Sequence, residues 1–271
     1  MKIFAIRDAE DKQERDLAYL FYYEKEQKFF IELPEGADPW AVPMMLSSFA
    51  KRKEYSVDEK WSRIWVQQRI VPAERQNIGQ IIRDNKLKEY DEYKLLMLSM
   101  GRCEQDDCYL VPIKEEDLPV TIKERYADSI DTVLPLSDKK LLVFFKNGIT
   151  KKYDATAAFR RLQIYYSRLS GEDAFYQVKV DTGGRGLSWG SEVRVHRDEV
   201  LQNGESLPLT MDDLSMIAEH SFVNAAEAAQ ILNCSRQNIN DLVKKGRLHP
   251  IKKSEKNTLF MKGEILAYLQ K

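Results

Sequence analysis

Residues 224–246 read NAAEAAQILNCSRQNINDLVKKG, and this stretch decides how the C-terminal part of the chain folds. Asn224 followed three residues later by Glu227 predicts a capping box, in which the two residues satisfy each other's free N–H groups at a helix start. Ala225, Ala228, Ala229 and Leu232 then share one face, and the small alanines let another helix approach closely. Asn233-Cys234 is a short break. Ser235 is suited to cap a second helix whose buried stripe is Ile239, Leu242 and Val243. The other face of that helix carries Arg236, Gln237, Asn240 and Lys244. Gly246 stands where a helix C-terminal glycine belongs, directly after Lys244-Lys245 in the last turn.

Two short helices joined this tightly leave the polar face of the second free to enter a DNA major groove. There Arg pairs with guanine, and Asn or Gln with adenine edges. Beyond Gly246, the runs 247–253 and 258–261 read as two strands, and the basic turn from Lys252 to Asn257 would lie along the phosphates as a wing. A closing helix over 263–270 is expected, with Ile265, Leu266 and Leu269 turned inward. The predicted base-contacting residues are Arg236, Gln237 and Asn240. The predicted phosphate-contacting residues are Ser235, Lys244, Lys245, Arg247, Lys252, Lys253 and Lys256.

The order A-A-x-x-L-x-C-S-R (from Ala228), then a helix, then K-K-G-R-L (from Lys244), a hairpin and E-I-L-A-Y-L (from Glu264) resembles the MerR-like excisionase family of winged helix-turn-helix domains. The resemblance implies DNA binding, although such domains also occur as protein-interaction modules.

Charge supports a basic terminal module. From Ser221 onward nine Lys or Arg stand against four acids, so the tail carries +5, and with a chain total of −1 the remainder carries −6. A basic domain on an acidic body suits binding to a polyanion. The 271 residues are 43% hydrophobic and 31% charged, enough apolar material for two or three domains. No stretch reaches the roughly 18 uninterrupted apolar residues of a spanning helix. The start, Met1-Lys2-Ile3-Phe4-Ala5-Ile6-Arg7-Asp8, turns charged too early for a signal peptide, so a cytoplasmic protein with no membrane association is expected. Cys103, Cys108 and Cys234 are an odd and sparse set, read as reduced thiols.

Upstream, Lys2–Ile6, 17–23 and 28–33 read as strands, the last two as a hairpin around Glu24-Lys25-Glu26-Gln27. Helical spacing follows over 39–51, 57–71, 73–86 and 90–100, with Trp61, Ile64 and Trp65 on one face. A short strand at 109–111 precedes 115–119, read as a linker. The next segment, 120–204, is predicted to be largely β. Asn147-Gly148 marks a hairpin between 141–145 and 149–153, because a two-residue turn of this kind needs positive φ at both positions. A helix carrying Phe159, Leu162, Tyr166 and Leu169 and ending at Gly171 follows. Strands at 175–180 and 187–189 then flank the glycine-rich turn 181–186.

Through Ile130-Asp131-Thr132-Val133-Leu134-Pro135, Phe175, Asp181, Gly184 and Leu187-Ser188-Trp189, this segment resembles a family of small bacterial α+β domains of unknown function, which implies partner binding without catalysis. Through Tyr19-Leu20-Phe21-Tyr22-Tyr23, Val71-Pro72-Ala73-Glu74-Arg75, Leu95-Leu96-Met97-Leu98 and Gly101-Arg102-Cys103, the first segment resembles the N-terminal subdomain of HipA-type toxin kinases. Nothing resembling the kinase core of that family follows, so the resemblance implies a docking domain and not phosphotransfer.

Gly183-Gly184-x-Gly186 is followed by a strand and not by a helix N-terminus, so it reads as a turn and not as a phosphate cradle. Cys103 and Cys108 have no second pair to complete a zinc site, and His196, His220 and His249 are scattered. No catalytic residue, metal or cofactor is therefore expected. The predicted fold class is α+β, multi-domain: two small α+β domains, 1–118 and 120–204, followed by a winged helix-turn-helix at 221–271. The predicted function is transcriptional regulation through double-stranded DNA, with residues 1–204 engaging a protein partner and the chain pairing as a homodimer. The alternative is an antitoxin-like or adaptor module without catalytic activity.

Overall fold

The computed structural model describes residues 1–161, 175–190, 193–254 and 257–269. It is a mixed α and β chain that separates into two units, one of residues 1–147 with 153–204 and the other of 148–152 with 205–271. Among the described residues no helix is long and apolar enough to cross a membrane.

In the first unit, β1 (Lys2–Asp8), β2 (Ala18–Tyr23), β3 (Lys28–Glu32), β4 (Ser56–Val57) and β5 (Cys108–Ile113) form an antiparallel sheet in the order β4-β3-β2-β1-β5. Alternation sends Phe4, Ile6, Leu20, Tyr22, Phe29 and Ile31 to one face, against α1 (Met44–Arg52), α2 (Glu59–Gln67) and α4 (Glu92–Ser99); α3 (Ile78–Asp84) lies between the last two in the chain. The other face, with Ile3, Ala5, Tyr19, Phe21 and Phe30, packs on Leu118 and Ile122. Because both faces are covered, β2 reads as a continuous apolar run and not as an alternation.

The acidic stretch read as a linker is instead a 3-10 turn at Glu115–Asp117 leading into α5 (Val120–Ala127). Burial of Leu118 and Ile122 holds it on the sheet. Within the helical segment, Trp65 is fully buried but Trp61 is 42% exposed, resting edge-on against Phe49.

The remainder of this unit holds a second core. A hairpin of β6 (Ile130–Pro135) and β7 (Lys140–Phe145) precedes the turn at Asn147-Gly148; Gly148 has φ +83° but Asn147 does not have positive φ, and residues 146–149 separate the strands, so the turn is longer than the two-residue form expected of the Asn-Gly pair. After β8 (Thr150–Asp154) come α6 (Thr156–Arg161), a three-stranded sheet of β9 (Lys179–Val180), β10 (Gly186–Trp189) and β11 (Val193–His196), and α7 (Arg197–Asn203). The predicted helix face of Leu162, Tyr166 and Leu169, and its end at Gly171, lie outside the described residues.

The strand expected from Phe175 is confined to Lys179–Val180. Phe175 itself is helical, its ring stacks on Trp189 at 5.8 Å and its carbonyl accepts the Trp189 indole N–H at 2.9 Å. The glycine-rich turn between β9 and β10 is required by contact: a Cβ on Gly184 would lie 2.3 Å from the Ile130 carbonyl oxygen, and one on Gly183 2.5 Å from the Tyr23 hydroxyl.

In the second unit the first residues of β8 pair with β12 (Glu205–Leu207), and the Thr150 hydroxyl donates to the Leu209 carbonyl. The chain continues through α8 (Met211–Ser221), β13 (Phe222–Asn224), α9 (Ala225–Ile231), α10 (Arg236–Lys244), β14 (Lys252–Lys253), β15 (Thr258–Met261) and α11 (Lys262–Leu269). The last three strands form an antiparallel sheet in the order β13-β15-β14.

Candidate nucleic-acid interface

The core under the helix pair consists of Val223, Ala228, Ala229, Ile239, Leu242, Leu248, Phe260 and Ile265. Ala228 is fully buried between the elements, which explains why the first helix is alanine-rich: a larger side chain would hold α10 away. The Asn224 side chain accepts from the N–H groups of Ala226 at 2.8 Å and Glu227 at 3.0 Å, and the Glu227 carboxylate accepts from the Asn224 N–H at 2.7 Å. The capping box read from the sequence is therefore present.

Both helices end in the same way. Asn233 adopts a left-handed φ of +48°; its N–H donates to the Gln230 carbonyl at 3.2 Å and the Cys234 N–H to the Ala229 carbonyl at 2.9 Å. At the end of α10, Gly246 has φ +66°; its N–H reaches the Val243 carbonyl at 3.0 Å and the Arg247 N–H the Leu242 carbonyl at 2.9 Å. These paired bonds satisfy carbonyls that a helix end leaves open. Between the helices, Ser235 caps α10 by accepting the Asn238 N–H at 3.2 Å. One left-handed residue and one cap fix the turn.

This geometry leaves Ser235, Arg236, Gln237, Asn240, Lys244, Lys245, Arg247, Lys252 and Lys253 exposed. Lys256 lies outside the described residues. Among the described residues, none of the six exposed cations in this set forms an ion pair, so their charge is not cancelled within the domain. The turn 254–257 is closed by Ser254: its N–H and hydroxyl donate to the Asn257 carbonyl at 2.8 and 2.9 Å, and its oxygen accepts the Asn257 N–H at 3.1 Å.

One residue on this face escaped the sequence reading. At 100° per residue, Asp241 lies about 40° round from Gln237 and about 60° from Lys244 on α10, on the side away from Ile239, Leu242 and Val243, and it places an acid next to the cations. Helical phase was the available signal. A second missed element is β13 (Phe222–Asn224), which pairs with β15 through Val223 and Phe260 and makes the hairpin part of a three-stranded sheet.

Two expectations are corrected. The strand expected over 247–253 shrinks to Lys252–Lys253, because Leu248 is buried in the core, Pro250 has no N–H to give a ladder, and the His249 N–H and ring Nδ1 are both held at 3.0 Å by Glu264. In α11, Ile265 is buried as expected, but Leu266 is 42% and Leu269 55% exposed; Tyr268, three residues after Ile265, takes the inward position.

Elsewhere, the Cys103 thiol donates to Asp106 at 3.9 Å, and burial pushes the Cys108 thiol up to about 12. Among the described residues no group of three or more His, Cys, Asp or Glu is arranged to hold a metal ion. No curated protein and no solved structure matches the chain significantly. Residues 222–271 match the family model described as a helix-turn-helix domain, and this C-terminal part of the chain is accordingly a helix-turn-helix domain, a type that points to DNA binding.

Proposed function

We propose that the chain is a cytoplasmic transcriptional regulator that binds double-stranded DNA with α10 in the major groove and the 252–257 hairpin as a wing along the phosphates. The observation that carries this reading is the set of exposed cations without acidic partners around one polar helix face. Arg236, Gln237 and Asn240 contact bases; Ser235, Lys244, Lys245, Arg247, Lys252, Lys253 and Lys256 contact phosphates. Residues 1–118 and 120–204 act as two domains that engage a protein partner or a second copy, and the paired chains read two half-sites. Catalysis has no part in this reading, since the helix-turn-helix supplies the only activity the chain's motifs point to.

Selection of bound duplexes from a random pool by the full chain tests this. An enriched motif, lost when Gln237→Ala and Asn240→Ala are combined, is the expected result. A pool that stays random after repeated rounds contradicts sequence-specific regulation.

A further inference from the structure

The second unit leaves an amphipathic helix without a core. α8 starts on a complete capping box between Thr210 and Asp213, yet none of its 11 residues is buried, and only Leu214 and Ser221 are half-covered. At 100° per residue, Met211, Leu214, Ile217, Ala218 and Ser221 share an arc of about 120°, with Asp212, Met216, Glu219 and His220 on the far side. A helix of this length is marginal in water by itself and is held by packing of its apolar face. Here that face is open: Met211 is 36% and Ile217 41% exposed.

α8 packs beside α11, whose outer flank is open in the same way. Ile265 and Tyr268 turn into the core, whereas Leu266 and Leu269 are 42% and 55% exposed, and Lys262 falls on their side of the helix. Side by side, the two helices present an apolar surface on the order of 300 Å², near the upper end of what a monomer leaves bare.

Charge narrows the occupant. Asp212, Asp213 and Glu219 are exposed on α8 and repel phosphate, so neither a duplex nor an anionic bilayer suits this face. Asp213 borders the apolar arc of α8 beside Ile217. Lys262, exposed and without an ion pair among the described residues, borders that of α11. One surface thus carries an acid-edged strip and a base-edged strip next to each other, which makes it complementary to itself. A two-fold axis lays α8 of one copy on α11 of another and satisfies both strips twice, with Asp213 facing Lys262. Since apolar atoms make up somewhat over half of an interface, the contact totals roughly 1,000 Å², at the low end of specific ones. Such a dimer is reversible. We infer that α8 and α11 form an isologous four-helix contact between two copies of this chain. It gives the proposed pairing of chains its surface and rests on that reading, while DNA takes no part in the contact itself.

The test is sedimentation velocity of the full chain without DNA, from about 1 to 100 μM, with amide exchange followed at both ends of that range. The contact predicts a monomer that becomes a dimer as concentration rises, and slower exchange over 211–221 in the concentrated sample. Ile217→Glu and Leu266→Glu change exposed side chains and each weaken association about tenfold or more. Met44→Glu, at an exposed position in the first unit, leaves it unchanged. Should a variant fail to fold, exchange in the unaltered chain decides. A chain monomeric throughout, an association that Ile217→Glu and Leu266→Glu leave intact, or exchange over 211–221 that ignores concentration overturns the contact. Duplex binding by the same samples separates the two readings. A monomer that binds DNA overturns the contact alone, and a dimer of this kind that binds no DNA supports the contact and contradicts the regulator.

Discussion

Gly246 holds the end of α10 in a left-handed conformation, at φ +66°, with open space around it. The cost of a side chain there is backbone strain and not collision, so Gly246→Ala should destabilise the helix-turn-helix by about 1–2 kcal/mol, read by urea unfolding. Arg69 is a different case. Its side chain is 1% exposed, stacks at 3.7 Å over the Trp65 ring and is paired with Asp106, whose other oxygen accepts the Cys108 N–H at 3.1 Å. Asp106→Ala strands a buried guanidinium and should cost roughly 3–5 kcal/mol in the same measurement, whereas breaking an exposed pair such as Arg52 with Glu54 should leave the unfolding curve nearly where it was. Asp241 is the residue whose removal should improve binding of the wrong DNA. Within the proposed reading, Asp241→Asn takes an acid off a polyanion-facing surface, so affinity for random duplex rises while any preference for cytosine at the facing base pair falls. Fluorescence anisotropy on matched and random duplexes reads both changes.

At the scale of elements, caps decide where helices begin. Asn224→Ala removes an acceptor that serves two N–H groups at the start of α9 and should cost about 1 kcal/mol, detected as faster hydrogen exchange at Ala226 and Glu227. The start of α8 has a pH-sensitive cap. The Thr210 hydroxyl and N–H donate to the Asp213 carboxylate at 2.7 and 2.8 Å, and these bonds hold that carboxyl below its ordinary value of 3.8. A depressed carboxylate stabilises the fold above its unfolded value and loses that contribution as pH falls through the folded one. The first turn of α8 should therefore begin to fray below about pH 4, visible in amide shifts of Asp212 and Asp213 during an acid titration. The α9-turn-α10 unit was legible in the sequence because each boundary is written in a local residue: Asn224, Ser235 and Gly246. What was not legible depends on distant partners. Residues 222–224 become a strand only by pairing with β15, the 115–119 stretch is fixed by a sheet face far away in the chain, and the inward choice of Tyr268 over Leu266 follows from which side of α11 meets Phe260 and Ala228. Of the candidate contact residues, exposure followed from helical phase, but the acid among them required completing the wheel.

For the whole molecule, the account rests on a charge division: a C-terminal part of +5 against a remainder of −6. Repulsion between the acidic part and a duplex leaves binding to the cations of the helix-turn-helix, which makes affinity strongly dependent on salt. The most direct measurement is the slope of log K against log salt for the full chain on one duplex, compared with the Lys252→Ala/Lys253→Ala double variant. With six cations on phosphates, the account predicts a slope of about −5 per bound copy, falling in magnitude by about 2 in the double variant with the preferred base sequence unchanged. An affinity indifferent to salt, or a slope that the two substitutions leave where it was, would contradict it.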